Sequence, residues 1–261
     1  MSHTLRVTPR KSACIRLIQI TDTHIARDPG PTDFEGVDTA ATLAVVLAAV
    51  DALCELPDCM VLTGDLVDIP SPEAYGRLRA LLRDRRYPVV CLPGNHDDPD
   101  MMRDLLNAGA LSTNRAIDFG GWRVLMLNDW EAGSDGGRFP RAELDFLRRE
   151  LTAAGEIPVL ICLHHQPVPI GSPWMDAMGL DHADELFAVT DSFNIVRGMT
   201  WGHIHQEFSA ERRGIPLWGT PSTCVQFLPG AGEYKVDDRA PGFRTFELLP
   251  GGALATRVMR T

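Results

Sequence analysis

Three short apolar runs separated by two amphipathic stretches dominate the N-terminal part of this chain. Cys14 to Ile20, Cys59 to Thr63 and Tyr87 to Leu92 are too short for stable helices and read as strands. Val37 to Leu53 lies between the first two without a glycine or proline. Its Leu43, Val46, Leu47, Val50 and Leu53 recur along one helical face, with Asp38 or Thr39 as N-cap. Ser71 to Arg85, opened by Ser71-Pro72-Glu73, supplies a second helix. Two successive strand–helix–strand units demand a parallel sheet with right-handed crossovers. The C-terminal ends of such strands share one edge, where open α/β sheets place their ligands.

What stands on that edge is polar. Asp22 and His24 follow the first strand, Gly64-Asp65 the second, and Pro93-Gly94-Asn95-His96-Asp97-Asp98 the third. The pattern continues downstream. Trp122 to Leu127 runs into Asn128-Asp129, Pro158 to Leu163 into His164-His165-Gln166-Pro167, and Phe193 to Trp201 into Gly202-His203-Ile204-His205. Six of the eight histidines therefore follow apolar strands; His3 and His182 fall outside the pattern and read as surface residues. A lone Gly-Asn-His-Asp turn is ordinary turn chemistry. Its recurrence with imidazoles and carboxylates at successive strand ends is not.

Mixed imidazole and carboxylate donors without thiolate suit Zn, Mn, Fe or Co. Two ions sharing one Asp would lie roughly 3.5–4 Å apart. Two divalent ions bring about +4, and Asp22, Asp65 and a bridging hydroxide about −3, so the site keeps about +1 and favours a phosphate ester.

The formal charge of −10 argues against a sequence-independent grip on nucleic acid. No window approaches eighteen consecutive apolar residues, and the N-terminus lacks an apolar signal core, so no membrane span is expected and the cytoplasm is the expected location. Residues 1–12 read as a disordered lead-in, and 1–261 as a single domain, since no linker interrupts the chain. Six cysteines are present; Cys14, Cys91 and Cys162 lie in apolar runs as buried thiols, and Cys54 and Cys59 lack the second pair a zinc site needs. Met101 to Leu106 and Pro140 to Leu151 read as helices, Gly133 to Gly137 as a loop, and Phe208 to Val258 as an antiparallel part of the same domain.

Taken together, Asp22-x-His24, Gly64-Asp65, Gly94-Asn95-His96-Asp97, His164 and Gly202-His203-Ile204-His205 resemble the five-block signature of calcineurin-like metallophosphoesterases. Gly36-Val37-Asp38-Thr39, Leu62 to Asp68, Leu92 to Asp98, Thr220-Pro221-Ser222-Thr223, Gln226-Phe227 and Pro241-Gly242-Phe243-Arg244 are similar to stretches of the bacterial class III cyclic-nucleotide phosphodiesterases. The resemblance implies an α/β fold, a four-layered αββα sandwich. It implies that Asp22, His24, Asp65 and His205 hold one ion, usually iron or manganese, and that Asp65, Asn95, His164 and His203 hold a second. His96 would contact the phosphate or protonate the leaving oxygen, with Asp97 orienting it and Asp98 capping a helix. In His164-His165 the first would be the ligand, the second lying behind it.

Gln166 and Asn128-Asp129 depart from the family pattern; both are expected at the rim, away from the ligands. Ser172 to Asp176 is expected to form part of that rim, with Trp174 either packing or stacking on a nucleobase. The resulting reading is a two-metal phosphodiesterase in which a metal-bridging hydroxide attacks a small diester in line, 3′,5′-cyclic AMP above others, giving 5′-AMP. A glycerophosphodiester or broad-specificity phosphodiesterase is the neighbouring alternative. A protein-binding scaffold with a vestigial metal site is an alternative of another class, against which the intact ligands and His96 count. The expected partner is a small-molecule phosphodiester, with no nucleic acid and no membrane; a homo-oligomer is left open.

Overall fold

The computed structural model describes residues 4–11, 14–31 and 35–261. Two sheets face each other across an apolar interior. The first runs in the order Leu254–Arg260, Gly242–Leu248, Ile15–Ile20, Cys59–Thr63, Val89–Leu92, Leu111–Ser112. Its last four strands are parallel, as the strand–helix–strand pattern requires, and its first two are antiparallel. The second sheet runs Thr4–Arg6, Ala116–Asp118, Arg123–Met126, Val159–Cys162, Val196–Trp201, Ile215–Gly219, Phe208–Arg212.

Strand alternation sorts the core into three layers of side chains. Leu17, Val61 and Leu92 from the first sheet meet Val124, Met126 and Leu160 from the second. On the first sheet's outer face, Ile18, Met60 and Val89 pack under the helices Thr39–Asp51, Pro72–Leu82 and Pro99–Leu105 through Leu43, Val46, Leu78 and Met102. On the second, Leu125, Ile161 and Met199 pack under Arg141–Ala154 and Ala183–Thr190. The architecture is the four-layered αββα sandwich. Strands covered on both faces, such as Cys59–Thr63 with every residue buried, need the continuous apolar run that the sequence carries. Asp38 caps the first helix by accepting from the Ala41 N–H, and Ser71 caps the second through Ala74.

Three expectations change. The lead-in is structured where it is described: Thr4–Arg6 pairs with Ala116–Asp118, and the Arg10 N–H donates to Asp58 at 2.6 Å. A short polar strand gains its order from the unpaired sheet edge, which no local pattern announces. The C-terminal strands do not form one antiparallel unit. Phe208–Arg212 and Ile215–Gly219 extend the second sheet, whereas Gly242–Leu248 and Leu254–Arg260 extend the first. Part of the Gly133 to Gly137 loop is a strand, since Gly137–Arg138 pairs with Leu180–Asp181. His182 is exposed, as expected, while His3 lies outside the described residues. Among the described residues no helix is long and apolar enough to cross a membrane.

Candidate metal and phosphoester site

The strand ends converge because their loops bond to one another. The Asp22 N–H donates to Gly64 O at 3.0 Å and the His24 N–H to Asp65 O at 2.9 Å, so the first two loops run side by side. Gly202 N–H donates to His164 O at 3.2 Å and joins two loops of the second sheet. Gln19 ties the sheets together below. Its amide donates to Thr63 Oγ1 (2.8 Å) and Trp201 O (3.2 Å), and its oxygen accepts from Thr200 (2.6 Å) and Thr220 (2.7 Å). A buried amide with every group satisfied locks register across the sandwich.

Eight non-glycine residues among those described have positive φ, and five are Asp22, His24, Asp65, His203 and His205, at 41–62°. The left-handed region costs an L-residue roughly 1–2 kcal/mol. Concentrating that cost at one end of the sandwich, on loops of both sheets, turns these side chains inward, which a relaxed turn would not do. Close approach adds a second demand. A Cβ on Gly64 would fall 2.2 Å from His164 Nδ1, and one on Gly94 would fall 2.3 Å from Asp65 Oδ1.

Donor atoms within 4.8 Å of one another form four overlapping groups: Asp22, His24 and His205; Asp22, Asp65 and His164; His24, Asp68 and His96; and His164, His165 and His203. Asn95 joins them through Oδ1, 3.1 Å from His164 Nε2. All seven residues expected as metal ligands therefore meet at one place. Asp65 is central, with Oδ1 3.3 Å from His164 Nε2 and Oδ2 3.6 Å from His24 Nε2. Its two oxygens address different halves of the cluster.

The imidazoles are aimed from behind. His164 Nδ1 donates to Thr63 O at 2.7 Å and His205 Nδ1 to Val225 O at 2.8 Å, so each carries a proton on Nδ1 and turns Nε2 into the cluster. Phe227 stacks on His205 at 4.0 Å and 5°. His203 Nε2 is buried with no hydrogen-bond partner. Burial holds the pKa of His24 below the usual imidazole value, and those of His203 and His205 well below it. Burial pushes Asp22 up to about 7. Burial also opposes ionised Asp65, but His164 beside it outweighs this and holds Asp65 well below the carboxylate range. A dry cluster in which burial keeps His24, His203 and His205 neutral beside the Asp22 and Asp65 carboxyl groups is a donor set for a cation.

His96 sits at the edge of the cluster with its side chain 38% exposed. Its Nδ1 donates to Asp68 O at 2.9 Å, and its backbone N–H donates to Asp65 Oδ1 at 2.9 Å. Asp97 does not orient it. The Asp97 carboxylate is buried and accepts from Leu66 N–H, Gly94 N–H and Tyr75 OH, each at 3.0 Å. Asp97 thus joins two loops, and its hydrogen bonds go to Leu66, Gly94 and Tyr75 instead of His96. Burial pushes it up to about 6. Asp98 caps Pro99–Leu105 through the N–H groups of Asp100 and Met101.

The Asn128-Asp129 step is a second correction. Asp129 is fully buried, and its Oδ2 accepts from the backbone N–H groups of His164 (3.3 Å) and His165 (2.9 Å). It touches an expected ligand directly, which a rim residue would not. His165 is buried behind His164, its ring centroid 4.5 Å from that of His203. Gln166 is buried too, donating to Met175 O at 2.7 Å and so fastening the Pro173–Asp176 turn of helix. Trp174 packs edge-on against Phe227 and Tyr234, at 5.2 and 5.6 Å.

Known proteins share this fold. A dimetal phosphatase from Danio rerio superposes with a TM-score of 0.62, covering 95% of this chain and 99% of that one, at 14% identity, a likeness of fold. The family model described as calcineurin-like phosphoesterase matches residues 15–207. The chain belongs to that family. Within it, the chain is 37% identical to the 3′,5′-cyclic adenosine monophosphate phosphodiesterase CpdA of Pseudomonas aeruginosa, over 97% of this chain and 92% of that protein. It is 38% identical to the CpdA of Escherichia coli K12, over 95% and 90%.

Proposed function

We propose that this chain hydrolyses a small phosphodiester, 3′,5′-cyclic AMP before others, to the monoester 5′-AMP. The observation that carries this reading is likeness over the whole length: identity of 37% to a relative named as a cyclic AMP phosphodiesterase spans 97% of the chain, far beyond the cation-binding loops. In this proposal residues 1–261 form one domain in the cytoplasm. Six free cysteines, five of them buried or half-buried, suit a reducing compartment.

Asp22, His24, Asp65 and His205 hold one ion in this proposal, and Asp65, Asn95, His164 and His203 a second. The split orientation of the Asp65 oxygens and the unpartnered His203 Nε2 support the fit. When bound, the ions supply positive charge against the phosphoryl oxygens, and a thiolate-free donor set suits iron or manganese, with zinc or cobalt as the other candidates. The protein's own part in the reaction centres on His96. Donation from its Nδ1 to Asp68 O fixes the ring and leaves Nε2 for the substrate. Burial opposes its charge, but Asp65 and Asp68 nearby more than offset this and raise its pKa. In this proposal His96 Nε2 is the proton donor to the departing ribose oxygen.

The test is competition between 3′,5′-cyclic AMP, glycerophosphocholine and bis-p-nitrophenyl phosphate in one metal-loaded preparation. Cyclic AMP is expected to have the highest kcat/KM. If glycerophosphocholine leads by about tenfold, or about 1.4 kcal/mol of transition-state preference, the chain is a glycerophosphodiesterase instead.

A further inference from the structure

A cavity of about 470 Å³ opens beside the edge that carries the site, and none of the expected metal ligands lines it. It is bordered by Met102 and Arg103 of the helix Pro99–Leu105 and by Glu143 of the helix Arg141–Ala154. Pro93 and Asn128 also line it. Pro93 is separated from Asn95 only by Gly94, and Asn128 precedes Asp129, which holds the His164 backbone. The cavity therefore adjoins the Asn95–His164 half of the cluster. Its size falls in the usual range for small-ligand sites.

Its chemistry selects among ligands. Leu92, Met102 and Met126 give it apolar surface. Its charges cancel: Arg115 pairs with Glu143 and lies 3.7 Å over the Phe146 ring, and Arg103 pairs with Asp100 at 2.8 Å. A second anionic group would gain little there. Uncharged polar groups nevertheless remain, since Asn107 and Thr113 also line it. The Asn114 amide lines the same cavity, and a side-chain amide can meet the donor and acceptor edge of a purine with both its groups. Apolar walls, cancelled charge and uncharged polar groups suit a flat, neutral, polar ring.

We infer that this cavity is the subsite for the nucleobase of a nucleotide whose phosphodiester occupies the adjoining cluster, an inference that rests on the phosphodiesterase reading above. Asn114 lies outside the helices and strands and is half-buried, so its replacement spares the core. Asn114→Ala removes the amide and Asn114→Trp fills the space. In both, kcat/KM for 3′,5′-cyclic AMP is expected to fall by about tenfold or more, while bis-p-nitrophenyl phosphate, which has no nucleoside, stays within about twofold. An equal fall on both substrates, or no fall on either, overturns the inference. Adenosine binding followed by ligand-observed NMR separates subsite from reaction. If the wild-type protein leaves cyclic AMP intact yet binds adenosine, and Asn114→Trp loses that binding, the proposed reaction fails and the subsite stands. Adenosine binding that survives unchanged in Asn114→Trp, or a wild-type protein that neither binds adenosine nor prefers cyclic AMP to bis-p-nitrophenyl phosphate, places the base elsewhere.

Discussion

A single carboxylate oxygen of Asp129 accepts the backbone N–H groups of both His164 and His165, at 3.3 and 2.9 Å. Asp129→Ala would strand two buried donors at roughly 1–3 kcal/mol each. Asp129→Asn keeps one oxygen and should recover part of the loss. Expected are a melting temperature lower by about 4 °C or more in the alanine variant and a weakened hold on metal. An alanine variant that melts with the wild-type protein would show that the two N–H groups find other partners.

Gly94 and Gly76 make a matched pair. A Cβ at Gly94 would meet Asp65 Oδ1 at 2.3 Å and His164 Cε1 at 2.6 Å, whereas one at Gly76 would meet nothing within 4 Å. Gly94→Ala should displace those side chains, costing about 1–3 kcal/mol of stability and most of the activity. Gly76→Ala, inside the helix Pro72–Leu82, should stabilise by about 0.5–1 kcal/mol. Thermal melts of both proteins, with turnover measured alongside, check the pair.

Asp65→Asn tests the shared carboxylate. An amide neutralises neither ion, so metal analysis of the purified variant should find both sites depleted, while Asp22→Asn should deplete mainly one. Two tightly held ions in Asp65→Asn would reassign the bridge.

His96→Ala should retain metal and lose roughly 10²–10⁴-fold in kcat, the range of general acid–base catalysis. The loss should be larger for cyclic AMP, whose ribose oxygen needs a proton, than for a p-nitrophenyl ester. Equal losses would point to phosphate positioning in place of proton donation.

Without ions, stability should peak near neutral pH. Burial keeps His24, His203 and His205 below their usual value of about 6.5, so at lower pH the unfolded chain binds protons that the fold refuses. Three such groups outweigh Asp22 and Asp97, which burial raises to about 7 and about 6 and whose contributions, full below the carboxylate range, are lost by those values. Above about 6.5 the slope reverses. Burial opposes charge on His164, but Asp65 prevails and raises it to about 10, so its contribution drains away as pH rises through that value. Melts of chelator-treated protein should be highest near pH 6.5 and lower at about pH 5 and about pH 9. A metal-loaded sample should lose less on the alkaline side, since ions take up ionised Asp22 and neutral His164.

The convergence of the residues expected as ligands was legible because each follows an apolar run in sequence, and strand ends of a parallel sheet meet in space. The residues that hold them were not. Adjacency suggested that Asp97 orients His96, yet its carboxylate bonds Leu66, Gly94 and Tyr75, and the carbonyl of Asp68 holds the ring. Asp129 and Gln19 act through backbone groups and side chains far along the chain, and a single polar residue within or after a strand carries no periodicity to betray it. Thr4–Arg6 likewise owes its conformation to a sheet edge more than a hundred residues away.

The two-sided placement of Asp65 has a thermodynamic consequence. Two cation sites that share one carboxylate are a single linked system. Filling one side orders Asp65 for the other while adding like charge nearby, and by reciprocity whatever factor the first ion imposes on the second, the second imposes on the first. Titration with metal should therefore yield two constants that belong to the pair, with neither assignable to one half alone.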